Sequence, residues 1–388
     1  MDKIAFYEET VPWSLISGGI STFVRQRAFV LARHDFEVWW CNRTDAARWD
    51  PDVGEWVDRR SFSGGRKHAN PPSAVAWLDL EAGVSLIESP DNIIQCWRLK
   101  NARHAVQWHT SPNLREWLNF DPLSPLERLQ RHVAWRLRRR VYQKAHVLLA
   151  PSLEVAYLQG AYYRIHPDRI AILPYVFSRE AFRDLPRAAE KGAGYVLVAG
   201  NLEYFKGFDL LMKGYDRYRH AGGSLSIVFA GSAGETDPDP HARAMLDKRD
   251  VKDVINRWGN ESIRFLGRIP WRKLAEIRAA SNAVIVCSRF DAFTLVAGEA
   301  AMSGCPLLLS DRTGWHLQAS MSPGMCQFDP YDSEAVAEAL REAEDEGKRT
   351  SLIEATEKLA SRISGEDVEE QTARFYRQII SGIAAGSG

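Results

Sequence analysis

The chain has 388 residues, 45% hydrophobic and 26% charged, which is typical of a globular protein with roughly two or three domains. Its 50 lysines and arginines balance 50 aspartates and glutamates, so the strong positive charge of many nucleic-acid-binding proteins is absent. Because no apolar stretch reaches the ~18 residues of a membrane span and the five cysteines form no CxxC pair, we expect a cytoplasmic protein with reduced core thiols and no secretory signal.

Apolar runs of strand length alternate with segments of helical period in the first half of the chain. Strands are predicted at KIAFY, FEVWWC, VSLIE, HAVQWH, HVLLAPS and IAIL, and the first helix is opened by Gly18 and Gly19. This alternation is typical of a parallel, doubly wound sheet. The polar segment Ser178–Gly194 then interrupts it, as a linker between domains would.

The alternation restarts after the linker, with strands predicted at YVLVAG, SIVFAG, IRFLG, AVIVCS and PLLLSD. We therefore predict two Rossmann-like α/β domains, over residues 1–180 and 190–365. A last helix over about 366–380 is expected to pack back on the first domain. Ligands of doubly wound sheets bind at the carboxyl ends of the strands, so the site is expected in a cleft between the domains.

Two loops after predicted strands could approach a phosphate group. Lys206 and Gly207 stand at the mouth of a helix, whose N-terminus offers unpaired N–H groups and a partial positive charge. A helix-opening turn with a solvated lysine explains the same pattern equally well. Gly18 and Gly19 would let a ligand approach the backbone closely, although a simple turn is the commoner reason for paired glycines. The full GxGxxG dinucleotide fingerprint is missing, which disfavours a dehydrogenase.

The segment SRFDAFTLVAGEAAMSGCPLLLSD places Asp291 and Glu299 eight positions apart among small and apolar residues. A helix is predicted to begin near Thr294, which would direct backbone N–H groups toward a ligand. The residues that would contribute these groups are Phe293, Thr294 and Leu295. A surface position for Glu299 fits poorly, because its neighbours leave almost no polar face. A buried glutamate needs a hydrogen-bonding partner, and a sugar or ribose hydroxyl could supply it.

This segment resembles the signature of the family-4 retaining glycosyltransferases, which is an acid, seven residues, a glutamate, a small-residue helix, Gly, Pro and an apolar strand. Four further segments follow the family's order: GGISTFV, QWHTSP, AGNLEYFKG and FLGRIPWRKLAEIRAASNAVIVCSRFD. The resemblance covers nearly the whole chain. It implies the GT-B fold, in which two Rossmann-like domains of doubly wound parallel sheets face each other across a cleft.

The resemblance also implies roles for individual residues. Lys206 would hold the diphosphate of a nucleotide-sugar, Asp291 would contact the sugar hydroxyls and Glu299 the ribose. His109, which alone would more often be structural, would lie close to the transferred sugar, so His109, Asp291 and Lys206 are the candidate catalytic residues. The candidate donor-binding residues are Gly18, Gly19, Asn201, Lys206, Gly231, Arg268, Ile269, Asp291, Phe293, Thr294, Leu295 and Glu299.

The implied function is transfer of a hexose or related sugar to an acceptor hydroxyl, with retention of configuration and without metal or cofactor. The nucleoside-diphosphate sugar is a co-substrate, and the acceptor is a saccharide, a lipid-linked molecule or a small molecule. Three departures leave the donor open: Asn201 where arginine is usual, Asp291 for glutamate, and Thr294 for glycine. The alternatives are a nucleotide-sugar-binding protein without transfer activity, and a GT-B epimerase or phosphorylase.

Leu126–His146 is predicted to form a basic amphipathic helix. Its apolar stripe consists of Leu126, Leu129, Val133, Leu137 and Val141, and Arg131, Arg136, Arg138, Arg139, Arg140 and Lys144 lie mostly off it. The favoured interpretation is a packed helix with a solvated basic face. The alternatives are peripheral contact with anionic lipid at the inner face of the membrane, or binding of an anionic acceptor.

Tryptophan is concentrated in the N-terminal part, where ten of the thirteen precede residue 140. Trp39, Trp40, Trp108 and Trp117 are among them. In GT-B enzymes this domain takes the acceptor, and aromatic faces suit sugar rings. Packing in the core is the simpler interpretation of the same residues.

Overall fold

The computed structural model describes residues 1–9, 19–62, 71–91, 97–109, 124–232 and 240–382. The chain divides into two compact units, which can be compared with the predicted domains over residues 1–180 and 190–365. The first unit contains Met1–Ala181 and Ser364–Gly388. The second unit contains Phe182–Ile363.

The first unit is built on an eight-stranded sheet. Its strands are β1 Asp2–Tyr7, β2 Phe36–Cys41, β3 Asp45–Asp50, β4 Glu55–Ser61, β5 Leu86–Pro90, β6 Arg103–Gln107, β7 Val147–Ala150 and β8 Ile170–Ile172, in the order β4-β3-β2-β1-β5-β6-β7-β8. Six strands are mutually parallel, whereas β3 and β4 continue the sheet in antiparallel fashion beyond β2. Sequence analysis did not predict β3 and β4, because their charged residues interrupt the apolar pattern of a buried strand.

Most of the tryptophans described in this unit belong to its core. Trp39, Trp40 and Trp108 are buried, and Trp49 and Trp56 pair across β3 and β4 with their rings 5.1 Å apart. The Trp49 ring also lies 4.8 Å from that of Phe29 on the first helix, so these two tryptophans help to hold the antiparallel extension against the rest of the unit. The acceptor-binding interpretation is therefore wrong for Trp39, Trp40 and Trp108, while Trp117 lies outside the described residues.

The helices of the first unit are α1 Gly19–Arg33, α2 Ser73–Leu80, α3 Pro125–Lys144, α4 Leu153–Tyr163 and, from the end of the chain, α13 Glu366–Ser381. α13 packs against α1, and Tyr376 donates a 2.6 Å hydrogen bond to the buried carboxylate of Glu88. Burial outweighs the nearby Arg27 and raises the pKa of Glu88 to about 7. The last helix thus completes the core of the first unit.

The second unit contains a six-stranded parallel sheet. Its strands are β9 Tyr195–Gly200, β10 Ser226–Gly231, β11 Ile263–Phe265, β12 Ala283–Val286, β13 Leu307–Ser310 and β14 Cys326–Phe328, in the order β11-β10-β9-β12-β13-β14. Its helices are α5 Phe208–His220, α6 Pro240–Leu246, α7 Arg249–Ser262, α8 Trp271–Ala280, α9 Leu295–Met302, α10 His316–Ser320, α11 Ser333–Glu344 and α12 Glu346–Ile363. The predicted α/β class with two predominantly parallel sheets is confirmed.

Most of the apolar stripe of helix α3 is exposed. Leu126, Leu129, Val133 and Leu137 of its apolar stripe are 64%, 60%, 49% and 43% exposed, and only Val141 of the stripe is buried. The packed-helix interpretation of Leu126–His146 is therefore wrong for most of the helix. The stripe has the predicted helical spacing, but it does not face the core.

Two general features complete the fold. Within the described ranges no helix has both the length and the hydropathy of a membrane span. Cys41, Cys287 and Cys305 are buried free thiols and Cys326 is half-buried, while Cys96 lies outside the described residues. Burial raises the pKa of the Cys305 thiol.

Candidate functional site

The second sheet places most of the candidate donor-binding residues along one edge. Its strands are parallel, so their carboxyl ends share that edge. The candidates there are Asn201 and Lys206 after β9, Gly231 at the end of β10, Arg268 and Ile269 after β11, and Asp291, Phe293, Thr294, Leu295 and Glu299 after β12. Gly19 and His109 belong to the first unit, and Gly18 lies outside the described residues.

Lys206 and Asp291 form an ion pair at this edge. The Lys206 Nζ donates a hydrogen bond to the Asp291 Oδ2, and the two side chains remain 29% and 12% exposed. A lysine ammonium has three donors, so Lys206 can bind Asp291 and still offer protons to a phosphate oxygen. The pair is thus suited to a ligand with both hydroxyl and phosphate groups.

A glycine fixes the turn that carries Lys206. Gly207 follows the 3-10 turn Tyr204–Lys206 and has φ 70°, in the left-handed region. A Cβ atom at this position would lie 2.0 Å from the carbonyl oxygen of Cys287. The close approach of the turn to the end of β12 therefore requires glycine.

A hydrogen-bond network around the buried carboxylate of Asp209, which sequence analysis did not identify, joins this turn to the loop after β12. Arg289 donates hydrogen bonds of 2.7 and 2.9 Å to the two carboxylate oxygens of Asp209 and lies 3.9 Å from the ring centre of Tyr204. Lys248 donates a third hydrogen bond, of 2.7 Å, to Asp209. Burial raises the pKa of Asp209, but the hydrogen bonds from Arg289 and Lys248 outweigh it and leave that pKa below its usual value.

The backbone around Asp291 is held by the loop after β13. The Asp291 N–H donates to the Arg312 carbonyl oxygen at 3.3 Å, and the Gly314 N–H donates to the Asp291 carbonyl oxygen at 2.8 Å. Hydrogen bonds on both sides restrict the orientation of the residue. The loop can therefore present the Asp291 carboxylate in a fixed direction to a ligand.

Helix α9 begins directly after this loop, with Thr294 at the position before its first residue, Leu295. The first N–H groups of a helix have no intrahelical acceptor and carry a partial positive charge. Trp315 fixes this helix start, because its Nε1 donates a 2.8 Å hydrogen bond to the Thr294 carbonyl oxygen and its ring lies 4.0 Å from that of Phe293. Sequence analysis had no signal for this role of Trp315.

Glu299 has a protein partner that sequence analysis did not foresee. Its Oε2 accepts a 2.7 Å hydrogen bond from Arg278 of α8, and both side chains are buried. Arg278 also donates a 3.1 Å hydrogen bond to the Ser303 hydroxyl. Arg278 therefore supplies the hydrogen-bonding partner that a buried glutamate needs, for which sequence analysis suggested a sugar or ribose hydroxyl. Contact of Glu299 with a ribose stays a prediction.

The remaining donor candidates differ in exposure. A Cβ atom on Gly231 would lie 1.6 Å from the carbonyl oxygen of Gly200, so the packing of β9 and β10 requires glycine there without any ligand. Asn201 and Arg268 have exposed side chains, and Ile269 is half-buried. These three positions can be reached from solvent at the carboxyl edge of the sheet.

His109 of the first unit follows β6 and shares a hydrogen bond, through Nδ1, with the hydroxyl of Tyr175. Burial, together with the charge of Arg27, lowers the pKa of His109 to about 3. The ring is therefore neutral near pH 7 and can contribute a hydrogen bond to a ligand, but no positive charge. Among the described residues no group of three or more His, Cys, Asp or Glu side chains could hold a metal ion.

Comparison with known proteins gives three findings. Residues 182–359 match the family model described as Glycosyl transferases group 1. Two relatives are a D-inositol 3-phosphate glycosyltransferase of Corynebacterium urealyticum, 31% identical over 73% of this chain and 68% of its own length, and one of Catenulispora acidiphila, 26% identical over 62% of this chain and 59% of its own length. Sucrose-phosphate synthase from Thermosynechococcus elongatus has a TM-score of 0.69 at 16% identity, with 98% of this chain and 100% of that chain covered. The structural likeness concerns the fold alone.

Proposed function

The chain belongs to the group 1 glycosyltransferases and has the GT-B fold, and we propose that it transfers a hexose or related sugar from a nucleoside diphosphate to an acceptor hydroxyl, with retention of configuration and without a metal ion. The observation that carries this proposal is the Lys206–Asp291 pair beside the start of α9. It combines a cation, a carboxylate and helical N–H groups, which are the groups that bind a sugar diphosphate.

Departure of the nucleoside diphosphate is the step that this site would assist. Negative charge grows on the diphosphate as the bond to the sugar breaks. Lys206 and the first N–H groups of α9 are fixed donors for that charge, and fixed donors are a large source of catalysis. Retention is proposed to follow from a same-face exchange, in which the departing diphosphate accepts the proton of the acceptor hydroxyl.

The identity of the donor's nucleotide is tested first, by thermal unfolding with UDP, GDP, ADP, CDP and dTDP at about millimolar concentration. A ligand present at 100 times its dissociation constant adds about 2.7 kcal/mol to the free energy of unfolding. One nucleotide is expected to raise Tm clearly above the other four. No shift with any of them would contradict the proposed donor site.

Transfer is then tested with sugars of that nucleotide and a panel of acceptors. The panel contains saccharides, lipid-linked molecules and small molecules, among them the inositol 3-phosphate named in the two relatives. The product is expected to keep the anomeric configuration of the donor sugar by NMR. Binding without turnover on any acceptor would favour the alternative of a nucleotide-sugar-binding protein, for which Asn201 is the supporting residue.

The role of Asp291 can be separated from that of Lys206. Asp291→Asn removes a charge that competes with phosphate for Lys206, but it also weakens the acceptor of the sugar hydroxyls. We expect the affinity for the free nucleoside diphosphate to be unchanged or higher. The kcat/KM should fall roughly thirtyfold, because a hydrogen bond to a charged group contributes about 2 kcal/mol. Calorimetry and initial rates measure the two quantities. A parallel fall in both would contradict a role confined to the sugar.

A further inference from the structure

Helix α3 exposes an apolar stripe over most of its length. Every residue from Ser124 to Gln130 is exposed, so the first turns of the helix extend away from the unit that carries it. The stripe runs along Leu126, Leu129, Val133 and Leu137, at the spacing of three and four residues that places side chains on one helix face. Exposed apolar side chains gathered on one helix face are typical of a surface that contacts another protein or a membrane.

A cationic cavity lies beside this stripe. It has a volume of about 860 Å³ and is lined by six arginines, with His132, Trp135, Gln143 and Tyr162 as the other lining residues. The arginines are Arg128, Arg131, Arg136, Arg139, Arg140 and Arg164. No carboxylate lines the cavity among the residues that the structure describes, although the whole chain has no net charge.

Trp135 is held in place in the wall of the cavity. Trp135 donates a 3.0 Å hydrogen bond from Nε1 to the Tyr162 carbonyl oxygen, which ties α3 to α4. The ring of His132 stacks on that of Trp135, and the guanidinium of Arg139 lies 5.6 Å from the centre of the Trp135 ring. Three and four residues separate these positions along α3, so the cavity occupies the helix face next to the apolar stripe.

We propose that the stripe and the arginine cavity together are a docking surface for an anionic lipid bilayer. The stripe would enter the interfacial region of the bilayer, and the arginines would bind the phosphates of the lipid head groups, as arginine does readily. Arg136 and Arg140 each stand three residues after a member of the stripe, Val133 and Leu137, so both interactions can occur at once.

A second copy of this chain is a poorer occupant of the same surface. Two copies joined through the stripe would bring their cationic cavities close together, and like charges repel. An anionic bilayer covers the apolar residues and balances the arginines at the same time. This complementarity of charge is the reason for the choice of partner.

Vesicle flotation with the full chain tests the proposal. Vesicles of phosphatidylcholine with 30% phosphatidylglycerol, about a third anionic lipid, are expected to bind at least tenfold more tightly than pure phosphatidylcholine vesicles. A triple variant, Arg128→Gln/Arg136→Gln/Arg140→Gln, should bind the anionic vesicles roughly a hundredfold more weakly. Each arginine is expected to contribute about a fivefold gain in affinity. Leu129→Gln/Val133→Gln should weaken it about tenfold, because glutamine keeps the helix but removes the apolar contact.

Matched controls change the same residue types elsewhere. Val53→Gln/Leu153→Gln alters two side chains that are 65% and 61% exposed, and Arg217→Gln/Arg249→Gln/Arg257→Gln alters three exposed arginines of the second unit. Neither control should change binding by more than about twofold, since neither lies on the proposed surface. If a control variant lost as much vesicle affinity as the matching variant of α3, the assignment of the surface would be overturned.

Two further results would overturn the proposal in favour of another occupant. If inorganic pyrophosphate at constant ionic strength bound the cavity and Leu129→Gln/Val133→Gln left vesicle binding unchanged, the ligand would be a soluble polyanion. If light scattering showed a dimer that the same variant made monomeric, the stripe would be an interface between copies. Absence of binding to anionic vesicles would equally reject the bilayer. None of these measurements depends on sugar transfer.

Discussion

Lys206→Ala is expected to lower kcat/KM by several hundredfold, which corresponds to about 3–4 kcal/mol of transition-state stabilisation. Lys206 is the side-chain cation paired with Asp291, and its loss leaves that carboxylate uncompensated at the proposed diphosphate position. The variant therefore loses an attraction and gains a repulsion, and both act most strongly on the charge of the departing diphosphate. Initial rates with the donor and acceptor identified by screening measure the effect.

The control for this variant is Lys213→Ala on α5. Lys213 is 53% exposed and lies 3.2 Å from Asp250, so its removal should leave kcat/KM within about twofold of the unchanged protein. Because Lys206 and Asp291 are both partly exposed, the variant should lose less stability than the loss of a fully buried partner would cause, which thermal unfolding checks. Near-normal turnover of Lys206→Ala would remove Lys206 from the site.

Arg278→Met is expected to lower the free energy of unfolding by about 3–5 kcal/mol, the usual cost of leaving one charge of a buried pair without its partner. Both Arg278 and Glu299 are buried, so water cannot replace the lost hydrogen bond. The exposed pair of Arg187 and Glu357 has the same 2.7 Å separation and serves as the control. Arg187→Met should cost no more than about 1 kcal/mol. Equilibrium unfolding in urea measures both variants.

The double variant Arg278→Met/Glu299→Met separates stability from ligand binding. Two apolar side chains of similar volume can replace a buried ion pair at little cost, and Ser303 keeps its 2.9 Å hydrogen bond to the Glu299 carbonyl oxygen. We therefore expect most of the lost stability to return. If Glu299 also contacts the ribose, this folded variant will still transfer poorly. Normal transfer by the double variant would show that Glu299 serves the fold alone.

The sequence by itself determined the class of fold and the residues to consider. Central strands of a parallel sheet are buried on both faces, so β9 and β10 are continuous apolar runs and were predicted with their observed bounds. Ligands of such sheets bind at the carboxyl ends, which directed attention to Lys206 and Asp291. The spacing of Asp291 and Glu299 added the resemblance to a family.

Only the tertiary structure decided which of these residues contact each other. Lys206 and Asp291 are 85 positions apart, Arg289 and Asp209 are 80 apart, and nothing local to either residue indicates its partner. The partner of Glu299 is 21 positions away on another helix. The helical period of α3 shows only that its apolar side chains share one face. Whether that face meets the core or solvent depends on the elements packed around it, because burial is a property of the assembled fold.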